Sequence, residues 1–129
     1  MQDRPTASEL LLAVQRFLDT EIVPATDGRR QFLTRVASNI IRIVEREFRS
    51  GDQHLTEEWR RLDALLGPES PPDNREELAA GISRRTAALC AEISGGKADS
   101  GPYADQVFAH VEQTVSEKLL VNNPGWLGE

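Results

Sequence analysis

The sequence is poor in the residues that build disulfides and metal sites. Of its 129 residues one is cysteine and two are histidine. The chain therefore has no internal disulfide, and it lacks the spacing of ligands that zinc sites and di-iron bundles require. Cys90 lies among alanines of a predicted helix, where we expect a small buried side chain. We predict no metal and no cofactor.

Lysine and long apolar runs are also scarce. Lys97 and Lys118 are the only lysines among 15 basic residues, and no apolar run exceeds five residues. Since a membrane-spanning helix needs about 20 apolar residues, we expect no membrane contact. The net charge of −6 argues against binding to nucleic acid. With a single cysteine and no leader-like pattern, we predict a soluble cytoplasmic protein.

Apolar residues recur at steps of three and four, and no segment alternates with a period of two. This pattern predicts an all-α fold: one domain, 1–129, in which four long helices form an antiparallel bundle with one shorter helix, followed by a tail at 124–129. The predicted helices run from the Thr6 cap to Pro24, over about 20 residues that end at Ser50–Gly51 after a turn at Ala25–Gly28, from about Leu55 to Leu66, from about Asn74 to Ile93, and from about Pro102 to Val121.

Capping patterns support two of these helix starts. Thr6 with Glu9, and Asp73 with Glu76, have the spacing of a capping box. Gly67 and Gly95–Gly96 are in position to end the third and fourth helices.

Each predicted helix has an apolar stripe that faces the predicted core. The first helix has Leu10, Leu11, Val14, Phe17, Leu18 and Ile22, and the fourth has Leu78, Ile82, Leu89 and Ile93. The second helix has the longest, and we predict that it is the central helix: Phe32, Val36, Ile40, Ile43, Val44 and Phe48. In the third helix the inward residues are Trp59, Leu62, Leu65 and Leu66. The last helix has the stripe Tyr103, Val107, Phe108, Val111, Val115 and Leu119.

The second helix also has the only concentration of basic residues. Arg35, Arg42, Arg46 and Arg49 fall close to one side of it. A solvated face with salt bridges explains this pattern, and an edge that faces an anion or a partner explains it too. Asn39 lies beside the apolar stripe, either as a packing residue or as a contact point.

The tail ends in Trp126 and Leu127, after Pro124 has stopped the last helix. Tryptophan is a frequent interface hot spot, so this pair either folds back onto the helices or anchors in a partner. The carboxylate pairs in the chain are flanked by arginines, as on a solvated helix face. With no catalytic constellation in view, we expect a protein that is not an enzyme.

Three segments together resemble a family of short bacterial proteins known as a domain of unknown function. They are Asp3–Leu11, Asp27–Asn39 and Lys118–Pro124. Members are typically encoded beside a phosphotransferase of the aminoglycoside-kinase type and an acyl-CoA dehydrogenase. The resemblance implies a partner of such a kinase. In this family a basic residue often follows the Asn-Pro pair, where this chain has Gly125.

The resemblance makes a non-catalytic accessory subunit the leading expectation, bound to a phosphotransferase-type kinase that acts on hydroxyacyl-CoA-like substrates. The alternative is a small helical module that binds acyl-CoA or a similar anion along the arginines of the second helix. A homodimer through an apolar helix face is compatible with both.

Overall fold

The computed structural model describes residues 3–128, which form four α-helices and no strand. They are α1 (Ala7–Phe17), α2 (Gly28–Leu66), α3 (Arg75–Ser94) and α4 (Gly101–Asn122). A π-helical turn, Leu18–Ile22, continues α1, and a 3-10 turn, Pro124–Leu127, follows α4. The all-α class is confirmed, and the antiparallel bundle stays a prediction. Along residues 3–128 no helix combines the length and the apolar character that crossing a membrane requires.

The predicted break at Ser50–Gly51 is wrong, because α2 is one helix of 39 residues. The predicted shorter helix is its second half. The Ser50 hydroxyl donates to the Arg46 carbonyl, four residues back, over 2.8 Å, and Gly51 is buried within the helix. A glycine commonly ends a helix by adopting a positive φ, as Gly67 does at 97°. The helix therefore continues to Leu66.

The helix caps agree with the sequence patterns to within one residue. Thr6 and Glu9 form the predicted capping box, with Glu9 N donating to Thr6 Oγ1 over 3.2 Å. At α3 the cap is Asn74 in place of Asp73, and its side chain accepts from Glu77 N over 2.8 Å. The segment offers the same spacing twice, one residue apart, so the pattern alone does not choose between the two.

Contacts divide the chain into two compact units. Unit 1 contains α1 and α2 up to Gly51, with Val121–Asn123. Unit 2 contains the rest of α2 from Asp52, α3, α4 up to Leu120, and the tail from Pro124.

Unit 2 has an apolar core to which three helices contribute. Its buried members are Trp59, Leu62, Leu65, Ile82, Leu89 and Val107. The prediction that Trp59, Leu62 and Leu65 point inward is confirmed. At Gly81 of α3 an added Cβ would lie 2.8 Å from the Trp59 ring. The absence of a side chain at Gly81 is what allows this close approach.

A buried arginine holds the loop after α2 against the unit 2 core. The Arg85 guanidinium lies 4.7 Å from the centre of the Trp59 ring. It donates to Asp63 Oδ1 and to the Gly67 carbonyl, each over 2.7 Å. Trp59 Nε1 donates to the Glu69 carbonyl over 3.0 Å. These contacts fix the loop from Gly67 to Pro72, which contains three prolines and no helix.

Candidate functional site

The apolar stripe at the start of α2 is exposed, so the prediction that it forms the central core is wrong. Five of its members expose between 39% and 65% of their surface: Phe32, Val36, Ile40, Val44 and Phe48. Leu33 beside them is 48% exposed. Single exposed apolar residues are ordinary, but a continuous row on one helix is typical of an interaction surface.

Unit 1 buries polar side chains of α2 in place of this stripe. Ser38 and Glu45 are 2% and 4% exposed. Ser38 Oγ donates to Asp19 Oδ1 over 2.6 Å, and Ser8 donates to Glu45. Each residue advances about 100° around a helix, so Ile40 lies almost opposite Ser38. In unit 1, therefore, α2 presents a polar seam to the first helical segment and an apolar face to the outside.

The four arginines of the sequence prediction divide into two that are engaged and two that are largely exposed. Arg42 pairs with Asp19, and Arg46 donates to the Val121 carbonyl over 2.7 Å. The Arg49 side chain is 68% exposed, with its guanidinium 3.9 Å from Glu45. Arg35 is exposed, and so is Asn39. The structure brings Arg42 and Arg46 into contacts within unit 1.

In unit 2, α4 has a second exposed apolar row. Phe108, Val111 and Val115 are 68%, 46% and 50% exposed. Their spacing of three and four places them on one face of the helix. The sequence assigned them to the core together with Val107, but the buried face is centred on Val107 and His110, about 130° away from Phe108.

The tail residues named by the sequence are exposed as well. Trp126 is 77% exposed and Leu127 is 38% exposed, both in the turn that follows α4. Trp126 therefore does not fold back onto the helices, which was one of the two alternatives for the tail; the other is anchoring in a partner.

A buried ion pair joins α2 to α4 within unit 2. Arg61 donates to both carboxylate oxygens of Glu117, over 2.9 and 2.8 Å. Gln113 donates to the same carboxylate over 3.0 Å. Burial alone would raise the pKa of Glu117, but the hydrogen bonds from Arg61 and Gln113 outweigh it and lower the pKa below its usual value. Glu117 is therefore a carboxylate at neutral pH, and its charge is balanced.

His110 lies next to this pair and is 6% exposed. Burial lowers its pKa, and the positive charge of Arg61 lowers it further. The imidazole is therefore neutral at pH 7. Its Nδ1 is buried without a hydrogen-bond partner.

A cleft of about 420 Å³ opens beside His110. Its lining is Arg61, Ala64, Leu65, Gln106, Ala109, His110 and Gln113. The charged residue of this lining is Arg61, whose guanidinium is paired with Glu117 outside the lining. Two alanines on its walls leave room for an apolar side chain.

Unit 2 should lose stability on mild acidification because of His110. The usual histidine pKa is 6.5, and the folded value is lower. Below pH 6.5 the histidine of the unfolded chain binds a proton that the folded chain excludes. The free energy of unfolding therefore decreases as the pH is lowered. A His110→Leu variant should lose less stability than the wild type between about pH 7 and pH 5, measured by urea unfolding.

Equal slopes in the wild type and His110→Leu would contradict the role given to His110.

The sequence missed several polar residues of the unit 2 core, and it misplaced Cys90. Arg85, His110 and Glu117 are buried. Arg85 follows Ile82 by three residues, and His110 follows Val107 by three, so helical periodicity already placed both on buried faces. Cys90 is exposed, contrary to expectation, because α3 buries Ile82, Arg85 and Leu89 on another face. Within residues 3–128 no three histidine, cysteine or acidic side chains are grouped as metal ligands.

Comparison with known proteins gives one match. Residues 24–126 match the model of a family described as a domain of unknown function, DUF6285. Neither the curated proteins nor the solved structures contain a match. The matched region includes α2, α3 and α4, and with them the exposed apolar rows of α2 and α4 and the ion pair of Arg61 with Glu117. The match spans more than three quarters of the chain, and the protein belongs to the DUF6285 family.

Proposed function

We propose that this protein is a non-catalytic accessory subunit of a phosphotransferase-type kinase that acts on hydroxyacyl-CoA-like substrates. The identity of the partner, its neighbouring gene and a cytoplasmic location come from the family resemblance and the composition described above. The observation that supports binding to another protein is the exposed row of α4, Phe108, Val111 and Val115, with Trp126 shortly after it in the chain.

The chemistry of this surface suits a protein partner. Phe108 and Trp126 are large aromatic side chains that are 68% and 77% exposed. Aromatic residues supply much of the binding energy of protein interfaces, because they bury a large apolar area with few rotatable bonds. The largely apolar cleft between Ala64 and Ala109 belongs to the same unit and has room for an apolar group of the partner.

Several charged side chains of unit 2 are paired with one another, which supports a structural role for these residues. Arg61 pairs with Glu117, and Arg85 with Asp63. Tyr103 donates to Glu92, and burial together with that carboxylate raises the pKa of Tyr103 to about 12. Groups paired in this way hold helices and loops together, and none of these three pairs leaves a side chain poised as a free acid or base.

The alternative function, an anion-binding module on the arginines of α2, has less support. Arg42 and Arg46 are already engaged by Asp19 and by the Val121 carbonyl. An anion would have to displace these contacts. Calorimetric titration of a CoA thioester into the chain alone separates the two functions, since an accessory subunit should give no heat of binding.

Substitution within the α4 row should weaken binding to the kinase. Val115→Glu is expected to raise the dissociation constant of the complex by about 30-fold or more, because it places a carboxylate in an apolar contact. Trp126→Ala should have an effect of similar size. The measurement is calorimetric titration of each purified variant into the kinase encoded beside this protein.

Val14→Glu is the matched control, because Val14 of α1 is also 50% exposed and the chemical change is the same. It should bind like the wild type. If the wild type formed no complex, the proposed function would be wrong. If Val14→Glu lost affinity and Val115→Glu did not, the surface would be assigned to the wrong unit.

A further inference from the structure

The exposed stripe of α2 in unit 1 reads the same in both directions along the helix. Its five members, four residues apart, are Phe32, Val36, Ile40, Val44 and Phe48, and they are all more than a third exposed. An interface between two identical chains related by a two-fold axis uses the same surface patch twice, so the patch must complement itself. A stripe symmetric about Ile40 meets this requirement.

We propose that the occupant of this stripe is a second copy of the chain, with the two α2 helices antiparallel and crossing at Ile40. Ile40 then faces its counterpart, Val36 faces Val44 of the second copy, and Phe32 faces Phe48. This inference does not depend on the kinase partner, which is assigned to a different surface.

The sizes of the side chains fit a crossed pair of helices. Rows of residues four apart interlock best when two helices cross at about −50°, with axes about 8–10 Å apart. Such helices approach most closely at the crossing and separate toward the ends. The smaller side chains of Val36, Ile40 and Val44 lie near the crossing, and phenylalanines at both ends fill the widening gap.

The stripe is long as well as apolar. Two phenylalanines, two valines and one isoleucine, with Leu33 beside them, extend along about 24 Å of α2, which is 16 steps of about 1.5 Å each. Monomeric proteins seldom expose large continuous apolar patches. The polar seam under Ser38 and Glu45 occupies the opposite face of α2, so the apolar face is the one that α2 offers to a partner.

The test measures the mass of the full chain in solution by sedimentation equilibrium. The wild type should be a dimer at about 10 µM. Ile40→Glu should raise the dimer dissociation constant by about 1,000-fold, because a residue on the two-fold axis is changed twice in one interface and the two new carboxylates repel each other. Val115→Glu, on α4, should remain dimeric.

Cysteine cross-linking tests the direction of the pair. Cys90 is exposed and is first replaced by serine. Helices this close bring Cα atoms at the crossing to about 5 Å, within the range for a disulfide. Ile40→Cys should therefore oxidise to a dimer. Val36→Cys should not cross-link to itself but should cross-link to Val44→Cys.

Each outcome decides the proposal. A wild type that remains monomeric up to about 100 µM overturns it. So does cross-linking of Val36→Cys to itself, which indicates a parallel pair. If Ile40→Glu abolished kinase binding while the wild type was monomeric, the stripe would belong to the kinase.

Discussion

Replacing Arg85 by methionine should lower the free energy of unfolding by about 4 kcal/mol. The side chain of Arg85 is 3% exposed, and it donates to Asp63 and to the Gly67 carbonyl. Methionine retains the apolar stem over Trp59 but removes both hydrogen bonds and the cation–π contact. The loop after α2 loses its attachment to α3, and the Gly67 carbonyl loses the hydrogen bond that Arg85 donates to it.

Arg84→Met is the matched control for this prediction. Arg84 is the preceding residue of α3, its side chain is 61% exposed, and it pairs with Glu69 of the same loop. Exposed ion pairs contribute about 0–1 kcal/mol, so this variant should unfold at nearly the wild-type urea concentration. Similar losses in both variants, measured by urea unfolding, would contradict the role of Arg85.

Removing Arg61 alone should be about as destabilising. The Glu117 side chain is 5% exposed, and Arg61 binds both of its carboxylate oxygens. An Arg61→Met variant leaves a carboxylate buried without its counter-charge, which costs about 3–5 kcal/mol. Gln113 alone does not balance that charge.

The double variant Arg61→Met, Glu117→Leu should recover most of this loss, since an apolar pair of similar volume often replaces a buried ion pair without cost. Urea unfolding of both single variants and the double variant gives the coupling energy. If the double variant were as unstable as Arg61→Met, the loss would come from packing and not from the unpaired charge.

The helices themselves were predictable because their signals are local. The capping box of Thr6 and Glu9 and the stop at Gly67 depend only on residues within one turn. The continuity of α2 was not predictable in this way. Ser50 and Gly51 resemble a helix end in sequence, yet the Ser50 hydroxyl bonds back to Arg46 and Gly51 remains helical.

The sequence also did not predict which of the apolar stripes the chain itself buries. Ile40 and Leu62 belong to stripes of the same kind on the same helix, yet Ile40 is 53% exposed and Leu62 is fully buried. Helical periodicity shows that a face is apolar, but it does not identify the chain that covers it.

Among the residues of the candidate site, Trp126 and the arginines of α2 were identified from the sequence. The pairing of Arg61 with Glu117 could not be predicted from it. These two residues are 56 positions apart, and many carboxylates in the chain have arginines closer in sequence. Long-range ion pairs depend on how helices dock, which no local pattern specifies.

The most direct test of the central claim is the rate at which the proposed partner, a phosphotransferase-type kinase, phosphorylates a hydroxyacyl-CoA as this protein is added. The account predicts that the rate rises with added chain and levels off once the kinase is saturated, and that Val115→Glu requires a higher concentration for the same effect. A kinase that is fully active alone, and whose rate no amount of this protein changes, would contradict it.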